Sequence, residues 1–332
     1  MDKNPLSRVL AVLVALAVLV PAASAAPHGI LWANGKAPAV FNAEKVSSGG
    51  GLLYYGGPVI SHPKVYAVFW GDNVDPETQE KIGPFFTNML DSTYMDMLTQ
   101  YNTNITAVDG RHGTNQTLNR GAFAGNIKIT PINTSSSLTD ADVQHELDAQ
   151  LAAGKLPAAT PDSLYMIYFP SGVSISIEGQ RSCSSFCAYH EGFNSAKAGP
   201  VYYGVMPVCG FGCGVAGSTF DSMSVVSSHE CMEAVTDPFP TPGDKPVYPQ
   251  AWNDAGGQEI GDLCAQGNST VTGHGLVSAV QWEYDNSIGG CNQGPWTQNA
   301  APAIANIVVP SSRPMPVLEI LRSAPANVFA GL

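Results

Sequence analysis

Ser228-His229-Glu230-Cys231-Met232-Glu233-Ala234-Val235-Thr236-Asp237-Pro238 is the stretch from which the rest of this chain can be read. It has the pattern of a helix that stops at a proline. On a helix of 3.6 residues per turn, positions i and i+4 share a face. His229 and Glu233 therefore project side by side, as two ligands of one metal ion do. Glu230 is turned by about 100° around the axis. The neighbouring Met223, Val225, Val226, Met232, Ala234 and Val235 are apolar, so the helix expected over Thr219 to Val235 is buried. Three ionisable groups so close together on a buried helix need partners or a metal.

The chain supplies its own control. Three His-Glu dipeptides occur, at His145-Glu146, His190-Glu191 and His229-Glu230. Position i+4 is Ala149 after the first and Asn194 after the second; only His229 is followed by a carboxylate at that spacing. A third ligand must come from another element. Glu259, in Gly257-Gln258-Glu259-Ile260-Gly261-Asp262, is the leading candidate, because Gly257 and Gly261 let the backbone approach the helix. Asp262 is expected to support His229 from behind. Asp254 and Asp237 are weaker ligand candidates. The alternative is that Glu259 and Asp262 only cap local turns. A site with two carboxylates and one histidine suits zinc, and also harder ions such as manganese or calcium. In the hydrolytic reading, Glu230 takes a proton from a metal-activated water and passes it to the leaving amine of a peptide. His190, Tyr189 and Tyr203 are candidate donors to the developing oxyanion.

The bulk numbers set the setting. The chain has 332 residues and a formal charge of −12. Lys3 and Arg8, the apolar run Val9–Val20 and Ala23-Ser24-Ala25 have the form of a secretory signal peptide over residues 1–25. The expected location is extracellular or periplasmic. Charged residues make up 13% of the chain, against about 25% in an average protein. An acidic surface repels phosphate backbones and anionic lipid, so the expected partner is a polypeptide substrate, with neither nucleic acid nor a membrane. Neither a G-x-S-x-G elbow nor a P-loop occurs.

There are seven cysteines. Cys183, Cys187, Cys209, Cys213, Cys264 and Cys291 lie in loop-like sequence and suggest three disulfides in an oxidising compartment. Cys264 with Cys291 brackets one hairpin. The two C-x3-C pairs leave their connectivity open, and a four-cysteine zinc fits the same spacing. Cys231, inside the helix, is expected to be a buried thiol. Asn104, Asn115, Asn133 and Asn268 begin N-x-S/T sequons.

In chain order, residues 26–57 read as an extended arm and 58–297 as one α+β domain that carries the catalytic candidates. Residues 298–332 read as a tail. Strands are expected at Val65–Trp70, Asn126–Pro131, Leu164–Phe169, Val173–Ile177 and Val201–Pro207. Helices are expected over Asp75–Tyr101, broken at Gly83-Pro84, and over Thr139–Ala153. A hairpin turns at Gly273-His274-Gly275.

Over about residues 160–265, the helix motif and the order of elements resemble the zincin metallopeptidases. The resemblance implies a mixed sheet, an active-site helix, and an edge strand at Val201–Pro207 that binds extended substrate. Glu233 stands where the common H-E-x-x-H pattern has histidine. Looser motifs resemble the secreted phosphate-induced (Exordium-like) proteins: Gly56-Gly57-Pro58-Val59, Cys187-Ala188-Tyr189-His190-Glu191-Gly192 and Ala234-Val235-Thr236-Asp237-Pro238. That resemblance implies an extracellular, wall-associated or binding protein without enzymatic activity, holding a structural metal or none.

Overall fold

The strand Lys64–Trp70 and its neighbour Ser163–Tyr168 are almost continuous apolar runs, because the sheet they build is covered on both faces. The computed structural model describes residues 29–33, 50–209, 213, 217–240 and 245–298. All lie in the first of two compact units, residues 1–299. The expected signal peptide, most of the arm and all but the first residue of the tail lie outside the described residues.

The main sheet has six strands in the order Ile30–Trp32, Phe186–Ser195, Gly199–Met206, Ser163–Tyr168, Lys64–Trp70, Ala122–Ile129. The last four run parallel; Phe186–Ser195 is antiparallel to both of its neighbours. Alternate residues feed two cores. Leu164, Met166 and Tyr168 join the core that contains the helix Thr219–Thr236. Tyr165, Ile167 and Phe169 join the other, under the helix Asp140–Ala152. The protein is thus a mixed α+β molecule, as expected.

Local chemistry explains the element ends. Thr139 caps Asp140–Ala152 in a capping box with Asp142, and Gly154 follows at φ +66°. Ser218 and Asp221 form a second capping box at the start of Thr219–Thr236. That helix ends at Asp237, whose conformation is pushed out of the helical region by Pro238. It is buried along nearly its whole length, between the sheet, the helix Pro76–Leu90 and the hairpin Asn268–Gly273/Leu276–Gln281.

Three expectations need correction. Gly83-Pro84 does not break its helix: Pro76–Leu90 runs through it. Pro84 removes one backbone hydrogen bond, but buried Ile82, Phe85, Phe86, Met89 and Leu90 keep the helix seated. Cys187 does not lie in a loop: with His190 it belongs to the ten-residue strand Phe186–Ser195, and its disulfide to Cys213 starts from that strand. The strand before the site helix, Gly199–Met206, is not at the sheet edge. It is interior, and the edge beyond Phe186–Ser195 is occupied by Ile30–Trp32.

Three disulfides join Cys183 to Cys209, Cys187 to Cys213 and Cys264 to Cys291, and Cys231 is a buried free thiol. The four cysteines of the two C-x3-C pairs are therefore spent on disulfides, not on zinc. Such bonds belong to an oxidising compartment. No helix among the described residues is long and apolar enough to cross a membrane. The Cys264–Cys291 bond spans 27 residues and anchors the turn Asp262–Cys264 to the strand Gly290–Asn292. Replacing both cysteines by serine is expected to cost about 3.5 kcal/mol, from the loop-closure entropy of the unfolded chain. Urea unfolding measures this, and an unchanged midpoint refutes it.

Candidate metal centre

His229, Glu230 and Glu233 lie on the site helix and are fully buried. Glu259, also fully buried, comes from the loop behind Trp252-Asn253, and the partly exposed Asp262 opens the next helical turn. His190, 1% exposed, reaches the cluster from the antiparallel strand, and Glu283 reaches it from the strand Glu283–Asp285. The elements converge closely because Gly261 has no side chain. A Cβ there would lie 2.5 Å from His229 Nδ1 and 3.0 Å from Glu233 Oε1.

Each imidazole is oriented by an acceptor on its far side. Gln281 donates its amide N–H groups to the carbonyls of Gly261 and Trp282, so it presents its oxygen to His229 Nδ1 at 3.0 Å. His229 Nδ1 thus carries a hydrogen, and Nε2 faces Glu233 Oε1 at 3.1 Å, the contact in which a second proton or a cation stands. His190 Nε2 lies 3.0 Å from the carbonyl oxygen of Asp237, which can only accept. His190 Nδ1 then faces Glu230 Oε2 at 3.3 Å and Glu233 Oε2 at 3.6 Å. Its Nε2 is also 3.5 Å from Glu259 Oε1. Second-neighbour acceptors of this kind fix the tautomer of metal-binding histidines.

The two ligand groupings share one residue. His190, Glu233 and Glu259 offer ligand atoms that all lie within 4.8 Å of one another, and so do His229, Glu233 and Asp262. The expected trio His229, Glu233 and Glu259 is thus divided: Glu259 groups with His190, and Asp262 moves from a supporting place to a ligand place beside His229. Glu233 Oε1 also accepts from the Asp262 backbone N–H. Several buried atoms have no hydrogen-bond partner: His229 Nε2, Glu230 Oε1, Glu233 Oε2, both oxygens of Glu259 and Glu283 Oε2. Two ligands each about 2 Å from one ion stand about 3 Å apart, the spacing found between these nitrogens and oxygens. Buried His and Glu side chains here could hold a divalent cation.

The electrostatics follow from that crowding. Burial pushes the carboxyls of Glu230, Glu259 and Glu283 up. Burial, with the charge of Glu233, pushes Asp262 up to about 8. Burial works against the charge of Glu233 too, but the His229 and His190 imidazoles hold it below its ordinary value. Burial alone would lower both imidazoles. The carboxylates, chiefly Glu259 and Glu230 for His190 and Glu233 for His229, raise them well above the ordinary value instead.

Other candidates stand elsewhere. Tyr189 and Tyr203 are not oxyanion donors here: both lie on the opposite face of the sheet and donate to Asp140 Oδ1, at 2.7 and 2.6 Å. Side chains alternate along a strand, so Tyr189 must point away from the side that His190 faces. Asp254 accepts from the backbone of Gly256 and Gln258, and Asp237 accepts from Ala251 and Asn253. Gln281 and Glu283 were not legible in sequence. They follow the motif by about fifty residues in an ordinary hairpin, and no spacing rule marks them. Compared with known proteins, the chain matches no family model, no curated protein and no solved structure, so its function has to be argued from this site alone.

Proposed function

We propose that this protein is a metal-dependent hydrolase of peptide bonds, with a divalent cation, zinc first among the candidates, in the cluster around Glu233. The observation that supports it is the set of unpartnered buried carboxylate and imidazole atoms facing one another. Among the described residues, the ion pairs of Lys81, Arg111, Arg120 and Lys128 are with Glu77, Asp109, Asp91, Asp96 and Asp72, not with this cluster. Leaving such groups buried without a counter-charge is costly. A bound divalent ion supplies Lewis acidity and lowers the pKa of water to near neutrality.

The chain's own residues do the rest. His229, Glu233, Asp262, His190 and Glu259 hold the ion. Glu230 projects from the same helix, one oxygen beside His190 and the other unpartnered. In this reading it takes a proton from water and returns it to a leaving amine. Burial raises its carboxyl above the ordinary carboxylate value, the direction that suits a group acting as base and then as acid.

Glu230→Gln tests the reading. The variant is expected to keep its metal, measured by elemental analysis, and to lose roughly 100-fold or more of its activity on denatured casein. Full activity in the variant overturns the role of Glu230, and a wild type that binds no metal overturns the whole. Gln281→Met is expected to weaken zinc binding roughly 10–100-fold in equilibrium dialysis, because His229 loses the acceptor that orients it. Unchanged affinity refutes that orientation. One observation favours a second reading: every ligand candidate except Asp262 is sealed from solvent. Metal retained without any proteolysis, in wild type and variant alike, supports a structural ion.

A further inference from the structure

We propose that the cluster is built for two divalent cations bridged by Glu233, not for one. The inference rests on the metal-binding part of the reading above and is independent of peptide hydrolysis. Its basis is the way the two carboxylate oxygens of Glu233 are divided. Oε1 faces His229 Nε2 at 3.1 Å, and Oε2 faces His190 Nδ1 at 3.6 Å. On the far side of each ring Gln281 or the Asp237 carbonyl takes a hydrogen, which leaves these two nitrogens to bind a proton or a cation. A lone pair set against a carboxylate is repulsive unless a cation or a proton stands between them. The site has two such gaps, one on each side of Glu233.

Each histidine has its own third residue. Asp262 completes the group of His229 and Glu233, and Glu259, whose Oε1 lies 3.5 Å from His190 Nε2, completes the group of His190 and Glu233. Both oxygens of Glu259, Glu233 Oε2 and His229 Nε2 are buried and unpartnered. Charge points the same way. Glu230, Glu233, Glu259, Asp262 and Glu283 bring five negative charges when deprotonated, more than one divalent ion balances, and a second offsets two more. A carboxylate shared between adjacent ions is the usual arrangement where two metals stand about 3.5–4 Å apart. The mixed nitrogen and oxygen donors suit zinc or manganese.

The experiment loads metal-free, full-length protein with manganese(II). It counts bound ions by equilibrium dialysis and records the electron paramagnetic resonance spectrum. Two ions per chain and the spectrum of an exchange-coupled pair are expected. Asp262→Asn and Glu259→Gln are each expected to retain one ion with an uncoupled spectrum, and Glu233→Gln to lose the coupling. Circular dichroism and intact disulfides confirm that each variant folds. One ion in saturated wild type overturns the two-metal site while leaving the proposed metal function standing. Loss of all metal in both single-ligand variants also overturns it, since Asp262 and Glu259 would then serve the same ion. No ion in the folded wild type overturns both.

Discussion

Stripping the protein with a chelator is expected to lower its thermal unfolding midpoint by about 10 °C. The figure follows from linkage. An ion that binds only the folded chain, at a thousand times its dissociation constant, adds about 4 kcal/mol of stability. For a domain of this size each kcal/mol moves the midpoint by about 2–4 °C. The structure says why the metal-free chain is the weaker one. It must keep Glu230, Glu233, Glu259 and Glu283 fully buried with oxygens that nothing satisfies. The effect should be local in origin and global in reach, because the site helix packs against the sheet, the helix Pro76–Leu90 and the hairpin. Differential scanning in chelator and in added zinc measures it. Equal midpoints would mean that no cation is part of the folded state.

What sequence could and could not show about this site has a physical explanation. His229 and Glu233 were legible because helical spacing is local: four residues decide which side chains are neighbours. The helix itself was legible for the same reason, from its apolar residues and the stop at Pro238, although its Ser218 and Asp221 capping box was not read in advance. Glu259 and Asp262 were legible as a segment, because glycines beside acids mark a close approach, and Gly261 indeed lies against His229. Their division between two histidines was not legible, since it depends on how a loop sits over a helix. His190 was legible as a candidate oxyanion donor but not as a partner of Glu233 and Glu259. Its strand, Phe186–Ser195, has no polar alternation to announce it, because both sheet faces are covered there. The same cause misplaced the sheet edge. Burial on both faces hides strand order, and the three-residue strand Ile30–Trp32 that covers the antiparallel strand is too short to carry a pattern.

Metal should also reverse how stability depends on pH. Between about pH 4.5 and 8, the metal-free protein is expected to lose stability as pH rises, and the metal-loaded protein to gain it. Glu230, Glu259, Asp262 and Glu283 have folded-state pKa values raised by burial, Asp262 to about 8. The unfolded chain releases these protons near pH 4, while the folded chain still holds them. The folded state then binds more protons, and stability falls with rising pH. His190 and His229 are raised by their carboxylate neighbours and act in the same direction. Their contribution is complete below an unfolded value near 6.5 and is lost as pH climbs through the folded one. Glu233 opposes them: its folded value is depressed, so its contribution is present above the unfolded value and lost only as pH falls through the folded one. It is one group against six. A bound cation removes the protons from the same carboxyls and imidazoles, so its affinity, and the stability it adds, grow with pH. The two midpoint curves should therefore diverge from acid toward pH 8. Curves that stay parallel would show that these groups do not exchange protons for metal, and the cluster would have to be a set of buried acids that pair only with one another.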